Sequence, residues 1–216
     1  SANQDAGFSI VKYTGTGSAA TIGHGLSNPP EFIIVKNLDD GTKNWNVYPT
    51  PLGNNYLELN KTGSTFSGST YFNNTAPTDS VFSVGSAGST NEGSDDFIAY
   101  CFHSVEGFSK IGSYIGNNST DGPFVFTGFR PAFLLLKRTN GTASWLIYDD
   151  KRDTFNQMQF PLFADLPNQE YTSNLLHVDF LSNGFKIRNA TYGETNASGG
   201  AYIYLAFAEA PFKFAN

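Results

Sequence analysis

The chain states one pattern twice, about one hundred residues apart, and that repetition limits what it can fold into. Residues 97–102 read as a strand that closes one pattern, and Gly107-Phe108-Ser109 with Tyr114 opens the next. The same opening stands at Gly7-Phe8-Ser9 with Tyr13, and the same closing strand at residues 202–207. Between these landmarks, Pro30-Glu31-Phe32-Ile33-Ile34-Val35-Lys36 answers to Pro131-Ala132-Phe133-Leu134-Leu135-Leu136-Lys137. Asn44-Trp45-Asn46-Val47-Tyr48 answers to Ser144-Trp145-Leu146-Ile147-Tyr148. A period this long, met twice, points to duplication within a compact body and not to a solenoid. The expected organisation is a single compact domain over 1–216, with repeat one at about 7–106 and repeat two at about 107–212. No Pro/Gly/Ser-rich linker separates the copies, which favours one merged body.

Each copy reads as short strands and polar turns. The apolar runs at 32–35 and 133–136 suit strands covered on both faces. Residues 32–48 form an expected hairpin through the Leu38-Asp39-Asp40-Gly41 turn. Asn140-Gly141 and Asn183-Gly184 are tight-hairpin signals between β-like runs. No segment carries a sustained helical period. The fold class is therefore all-β, an antiparallel β-sandwich of the lectin-like jelly-roll kind built from two sequence repeats.

Composition agrees: 15% of residues are charged, 15% are aromatic and 22 are glycine. A formal charge of −6 argues against a nucleic-acid partner, because phosphate neutralisation needs a basic face. It argues equally against docking on an anionic membrane, and no run approaches a membrane span. The single cysteine, Cys101, excludes an intrachain disulfide and a thiolate metal cluster, and reads as a small buried apolar group. The chain starts Ser1-Ala2-Asn3 without an initiator Met, which reads as an excised fragment or processed product.

Several blocks share a further likeness. They are Phe97-Ile98-Ala99-Tyr100-Cys101-Phe102, Gly107-Phe108-Ser109-Lys110, residues 116–124 (GNNSTDGPF), residues 127–133 (TGFRPAF), residues 181–188 (LSNGFKIR) and the ending at 206–213 (AFAEAPFK). Together they resemble a family of structural domains of tailed phages, common in marine and freshwater phages including cyanophages. The family is found in tail-fibre-like or other virion-surface proteins and is often described as concanavalin-A-like. The resemblance covers nearly the whole chain and implies a virion location and attachment to a host surface. It carries over no catalytic or binding residue.

Catalytic motifs are missing: the chain has no Gly-x-Ser-x-Gly elbow, no His-Glu-x-x-His and no phosphate-binding loop. His24, His103 and His177 stand far apart and read as structural or surface residues. No close carboxylate pairing marks a glycosidase. The domain is therefore expected to be non-enzymatic, with no resident cofactor. Ordinary turn chemistry accounts for the Asp-rich turns; if a cation such as calcium is bound, Asp149, Asp150 and Asp153 are the candidate ligands.

Sugar rings stack on aromatic faces while amides and carboxylates fix their hydroxyls. Trp45 and Trp145 sit beside apolar strands and read as core anchors. Tyr48 and Tyr148 alternate to the other strand face, which makes them better candidates for exposure. Tyr71, Tyr171 and Tyr192 fall in polar, loop-like stretches, where binding sites concentrate. The candidate ligand-binding set is Tyr148, Tyr171 and Tyr192. The expected partners are a host-surface glycan or other virion proteins, with a homo-oligomer in the parent assembly. A purely structural decoration module is the alternative, and a depolymerase accessory or glycosidase a third.

Overall fold

The computed structural model describes residues 1–172, 175–190 and 192–209. Among these the protein is an all-β antiparallel sandwich. The chain divides into two compact units, residues 1–60 with 65–104, and residues 61–64 with 105–216. The change at Ser104 falls within a few residues of the seam read from the sequence.

Unit 1 contains β1 (Ala2–Asn3), β2 (Phe8–Thr14), β3 (Ala20–Gly23), β4 (Phe32–Asn37), β5 (Asn46–Pro49), β6 (Leu57–Glu58), β7 (Val81–Val84) and β8 (Asp96–Phe102). The short helices α1 (Ser69–Phe72) and α2 (Gly88–Asn91) lie between the later strands. The large sheet runs β1-β2-β8-β4-β5-β6 and the small one pairs β3 with β7. β8 shows the period of a pleated strand, with Phe97, Ala99 and Cys101 buried and their neighbours partly exposed. Those three meet Ile33 and Val35 of β4, Tyr48 of β5, and Phe82 and Val84 of β7, so the core lies between the two sheets. Burial also pushes the Cys101 thiol up to about 12, the inert thiol that its strand position suggests.

Unit 2 contains β9 (Ser109–Ile115), β10 (Phe124–Phe126), β11 (Pro131–Arg138), β12 (Trp145–Asp149), β13 (Leu162–Phe163), β14 (Val178–Leu181), β15 (Gly184–Ile187) and β16 (Ala201–Ala208). Its large sheet runs β9-β16-β11-β12-β13 and its small sheet β10-β15-β14. The core again fills the space between sheets, with Leu134, Leu136, Tyr148, Tyr202 and Tyr204 facing Val125, Val178, Phe180 and Phe185. Leu134, Leu135 and Leu136 are all buried, which explains the unbroken apolar run: both faces of β11 are covered.

Strand order is the same in the two units. β2-β8-β4-β5-β6 corresponds to β9-β16-β11-β12-β13, and β3-β7 to β10-β15. The likeness extends to hydrogen bonds. Tyr13 donates its hydroxyl to the Thr90 carbonyl at 2.6 Å, as Tyr114 does to Thr195 at 2.7 Å. The Trp45 amide donates to Asn60 Oδ1 at 3.1 Å, and the Trp145 amide to Asp165 Oδ1 at 2.7 Å. Gly15 and Gly116 have no room for a side chain, because a Cβ would collide with the carbonyl oxygen of Glu92 or Ala197.

The hairpin readings divide. β4 and β5 pair antiparallel as the 32–48 hairpin requires. Ser182-Asn183 is a two-residue connection between β14 and β15, with Leu181 opposite Gly184. Asn140-Gly141 differs: β11 ends at Arg138 and β12 begins at Trp145, so the connection is wider than a tight turn. Asn140 serves there as a side-chain bridge, accepting the Ala201 amide at 3.0 Å and donating to the Gly199 carbonyl at 3.0 Å.

Candidate functional site

The three candidate tyrosines all border the unit 2 core, and they end in different situations. Tyr148 is not exposed: it is 1% accessible, and its hydroxyl donates to the Leu176 carbonyl at 3.2 Å. Tyr48 is buried in the same way in unit 1. Alternation places both opposite their Trp, but that opposite face is the sandwich interior. Trp145 is buried and Trp45 half-buried. Tyr192 is half-buried against the core, and its carbonyl accepts the amides of Thr195 and Asn196. Its role is to hold the following turn.

Tyr171 is different. It lines an open cavity of about 300 Å³ together with Phe163, Asn168, Gln169, Glu170 and Thr172. Phe163 of β13 meets the Tyr171 ring edge-to-face, with centroids 5.7 Å apart. The Tyr171 amide donates to the Pro161 carbonyl at 3.1 Å, which ties the loop back to the start of β13. Glu170 Oε1 accepts Arg152 Nη1 at 3.1 Å, and the same Arg152 atom reaches the Phe160 carbonyl at 2.8 Å. One guanidinium therefore secures both ends of the loop. The product is one aromatic ring set among two amides, a carboxylate and a hydroxyl.

The carboxylates of Asp149, Asp150 and Asp153 are not brought together as a cation site. Asp149 Oδ2 accepts Arg152 Nε at 2.6 Å while its Oδ1 accepts the amides of Lys151 and Arg152. Burial pushes the Asp149 carboxyl up, but the Arg152 amide and guanidinium outweigh it and hold the group below the usual carboxylate range. Asp150 pairs with Lys151 at 3.3 Å and Arg130 at 3.4 Å. Asp153 Oδ2 accepts the amides of Gln159 and Phe160. Adjacent strand and turn residues point apart, so each found its own cation or amide. Among the described residues no three His, Cys, Asp or Glu side chains are grouped to hold a metal ion.

Unit 1 holds a second cavity, of about 470 Å³, and the largely buried Tyr48 is among the residues that line it. Its walls include Pro29, Pro30 and Pro77, with Glu31, Thr50 and Ser104 among its polar groups. Glu31 is placed just ahead of β4, where its Oε2 accepts the Ser104 amide at 2.6 Å. His103, also on the wall, donates from Nδ1 to the Ser104 carbonyl at 2.9 Å, since a carbonyl only accepts. His24, by contrast, is buried as a structural residue, with Nδ1 accepting the Leu26 amide and Nε2 bonded to the Thr78 carbonyl.

Among the described residues no helix is long and apolar enough to cross a membrane. Comparison with curated proteins gave no match, and comparison with solved structures gave none. The family model described as "Domain of unknown function (DUF7483)" matches residues 1–211, and the chain therefore belongs to that family.

Proposed function

We propose that this protein is a non-enzymatic virion-surface domain that binds host-surface carbohydrate weakly and gains strength from many copies on one particle. One observation carries the reading: the Tyr171 ring borders an open cavity with Asn168, Gln169, Glu170 and Thr172. A pyranose offers an apolar C–H face and a rim of hydroxyls, and these residues supply a ring for the first and donors and acceptors for the second. The likeness of the sequence blocks to tailed-phage surface domains supports the location. The net charge of −6 fits a neutral or donor-rich glycan better than a polyanion.

The test is binding of a fluorescent, artificially trimerised form to intact bacterial cells, with free sugars as competitors. Sugar-sensitive binding that Tyr171→Ala abolishes supports the reading. Binding that no sugar displaces, or that Tyr171→Ala leaves intact, overturns it.

A structural assembly module is favoured by one separate observation. Phe124 and Phe126 are 45% and 64% exposed on the edge strand β10, and share one strand face. Edge strands with apolar side chains favour association. Sedimentation of the domain and of Phe126→Ser separates the readings: self-association lost in the variant supports assembly.

A further inference from the structure

We propose that the unit 1 cavity is a second binding site, and that it takes a hexosamine-type ligand: a hydroxylated ring carrying a free ammonium group. The inference stands apart from the Tyr171 site, which lies in the other unit.

Three features of the cavity specify this chemistry. The first is a fixed carboxylate. Glu31 accepts the Ser104 amide at 2.6 Å through Oε2, so the group is held in place before a ligand arrives. No lysine or arginine is among the residues lining the cavity. The carboxylate therefore remains a charged acceptor for an incoming N–H donor, and charge-assisted bonds are about twice as strong as neutral ones. His103 Nδ1 donates to the Ser104 carbonyl at 2.9 Å, so that N–H is not directed at Glu31.

The second feature is the wall. Pro29, Pro30 and Pro77 present apolar, conformationally fixed rings. Such surfaces suit the C–H face of a pyranose and are not disturbed by binding, which reduces the ordering cost. The third is the set of hydroxyl and amide groups around the carboxylate, from Asn28, Thr50 and Ser104. A simple alkylamine has nothing to offer these. A ring with hydroxyls beside its ammonium does. At about 470 Å³ the cavity lies within the range of small-ligand sites and exceeds the Tyr171 cavity.

Titration followed by amide nuclear magnetic resonance tests this on the whole domain. The probes are D-glucosamine, D-glucose, N-acetyl-D-glucosamine and n-butylamine. Glucosamine is expected to shift the amides of Glu31, Thr50 and Ser104, and to bind about tenfold more tightly than each of the other three. Glucose lacks the ammonium, the acetylated sugar has lost its charge, and butylamine lacks the ring. Glu31→Gln keeps an amide oxygen to accept the Ser104 N–H while removing the charge. It is expected to lower glucosamine affinity about tenfold. Tyr171→Ala is expected to leave glucosamine binding unchanged. Equal binding of glucose and glucosamine overturns the proposal, as does butylamine that matches glucosamine. Undiminished binding to Glu31→Gln overturns it too. The selectivity of the unaltered domain decides the matter even where the variant fails to fold.

Discussion

Asn91 and Asn196 occupy corresponding posts in the two units. The Asn196 amide donates to the Ser119 and Asn189 carbonyls at 2.8 and 2.6 Å, and its Oδ1 accepts the Asn117 amide at 2.8 Å. The Asn91 amide donates to the Ser18 and Gly85 carbonyls, and its Oδ1 accepts the Thr16 amide at 2.8 Å. Both side chains are fully buried. Each ties the loop after β2 or β9 to the segment entering the last strand of its unit, β8 or β16, and so closes one end of a sandwich.

Replacing either Asn by Ala strands a buried amide and two carbonyls, each a desolvated polar group. The expected loss is about 3 kcal/mol for the unit concerned. The chain has two tryptophans, Trp45 in unit 1 and Trp145 in unit 2. Urea unfolding followed by fluorescence in a Trp145→Phe or Trp45→Phe background assigns the loss to a unit. Asn91→Ala is expected to lower the midpoint reported by Trp45, and Asn196→Ala that reported by Trp145.

Tyr171 and Tyr148 are expected to behave oppositely on truncation. Tyr171→Ala removes a half-buried ring from a cavity rim, and is expected to cost about 1 kcal/mol of stability but most of the proposed glycan binding. Tyr148→Ala empties a core position and is expected to cost about 3–5 kcal/mol. Paired measurements of the denaturant midpoint and of cell binding check both. A Tyr171→Ala domain that unfolds as readily as Tyr148→Ala contradicts the assignment.

His24 makes stability depend on pH. Burial lowers its pKa below the ordinary value of 6.5, against the opposing Thr78 hydrogen bond. The neutral ring is what the fold accommodates, because protonation of Nδ1 would end its acceptance of the Leu26 amide. With the folded pKa below the unfolded one, this contribution is complete above pH of about 6.5 and is lost as pH falls through the folded value. Denaturant midpoints between about pH 7.5 and pH 5 are expected to drop in the native protein. The drop is expected to shrink in His24→Gln.

Lys137 titrates the other end of the range. It is wholly buried, and its Nζ donates to the Ala143 carbonyl at 2.6 Å and the Thr62 carbonyl at 3.1 Å. Burial lowers its pKa to about 8 despite the opposing charge of Asp165. The unfolded chain therefore binds more protons between about pH 8 and pH 10.5, and stability from this group rises with pH across that window. The midpoint difference between the native protein and Lys137→Met, measured from about pH 7.5 to pH 9.5, is expected to move in favour of the native protein.

Much of the architecture was legible from local pattern. The paired Lys and Tyr landmarks fall on β4–β5 and β11–β12, with Pro30 and Trp45 just ahead of β4 and β5, and the apolar runs at 32–35 and 133–136 are largely buried strands. Tyr171 was legible as a loop aromatic in a polar stretch. The exposure of Tyr48 and Tyr148 was misread because alternation reports which residues share a face, not which face meets a core. Asn91 and Asn196 went unread, although Gly-x-Thr-Asn recurs at 88–91 and 193–196. That short recurrence was the available signal. For Asp149, Asp150 and Asp153 ordinary turn chemistry is the reading of the sequence, with a cation site only as an alternative, and the structure pairs Asp149 with Arg152 and Asp150 with Lys151.

Sequence alone determined the properties that depend on near neighbours: strand periodicity, turn chemistry, the acidic balance and the repeated order of landmarks. Tertiary structure decided those that depend on residues distant in the chain. It buried Tyr148 and left Tyr171 at a cavity, and it set Glu31 against Ser104 across 73 positions. It also gave the Asp149 carboxylate to Arg152 instead of to a cation. The physical reason is that burial and polar pairing are settled by the surfaces that meet when sheets stack. A β-sandwich joins strands far apart in sequence, so those meetings are written nowhere in a local window.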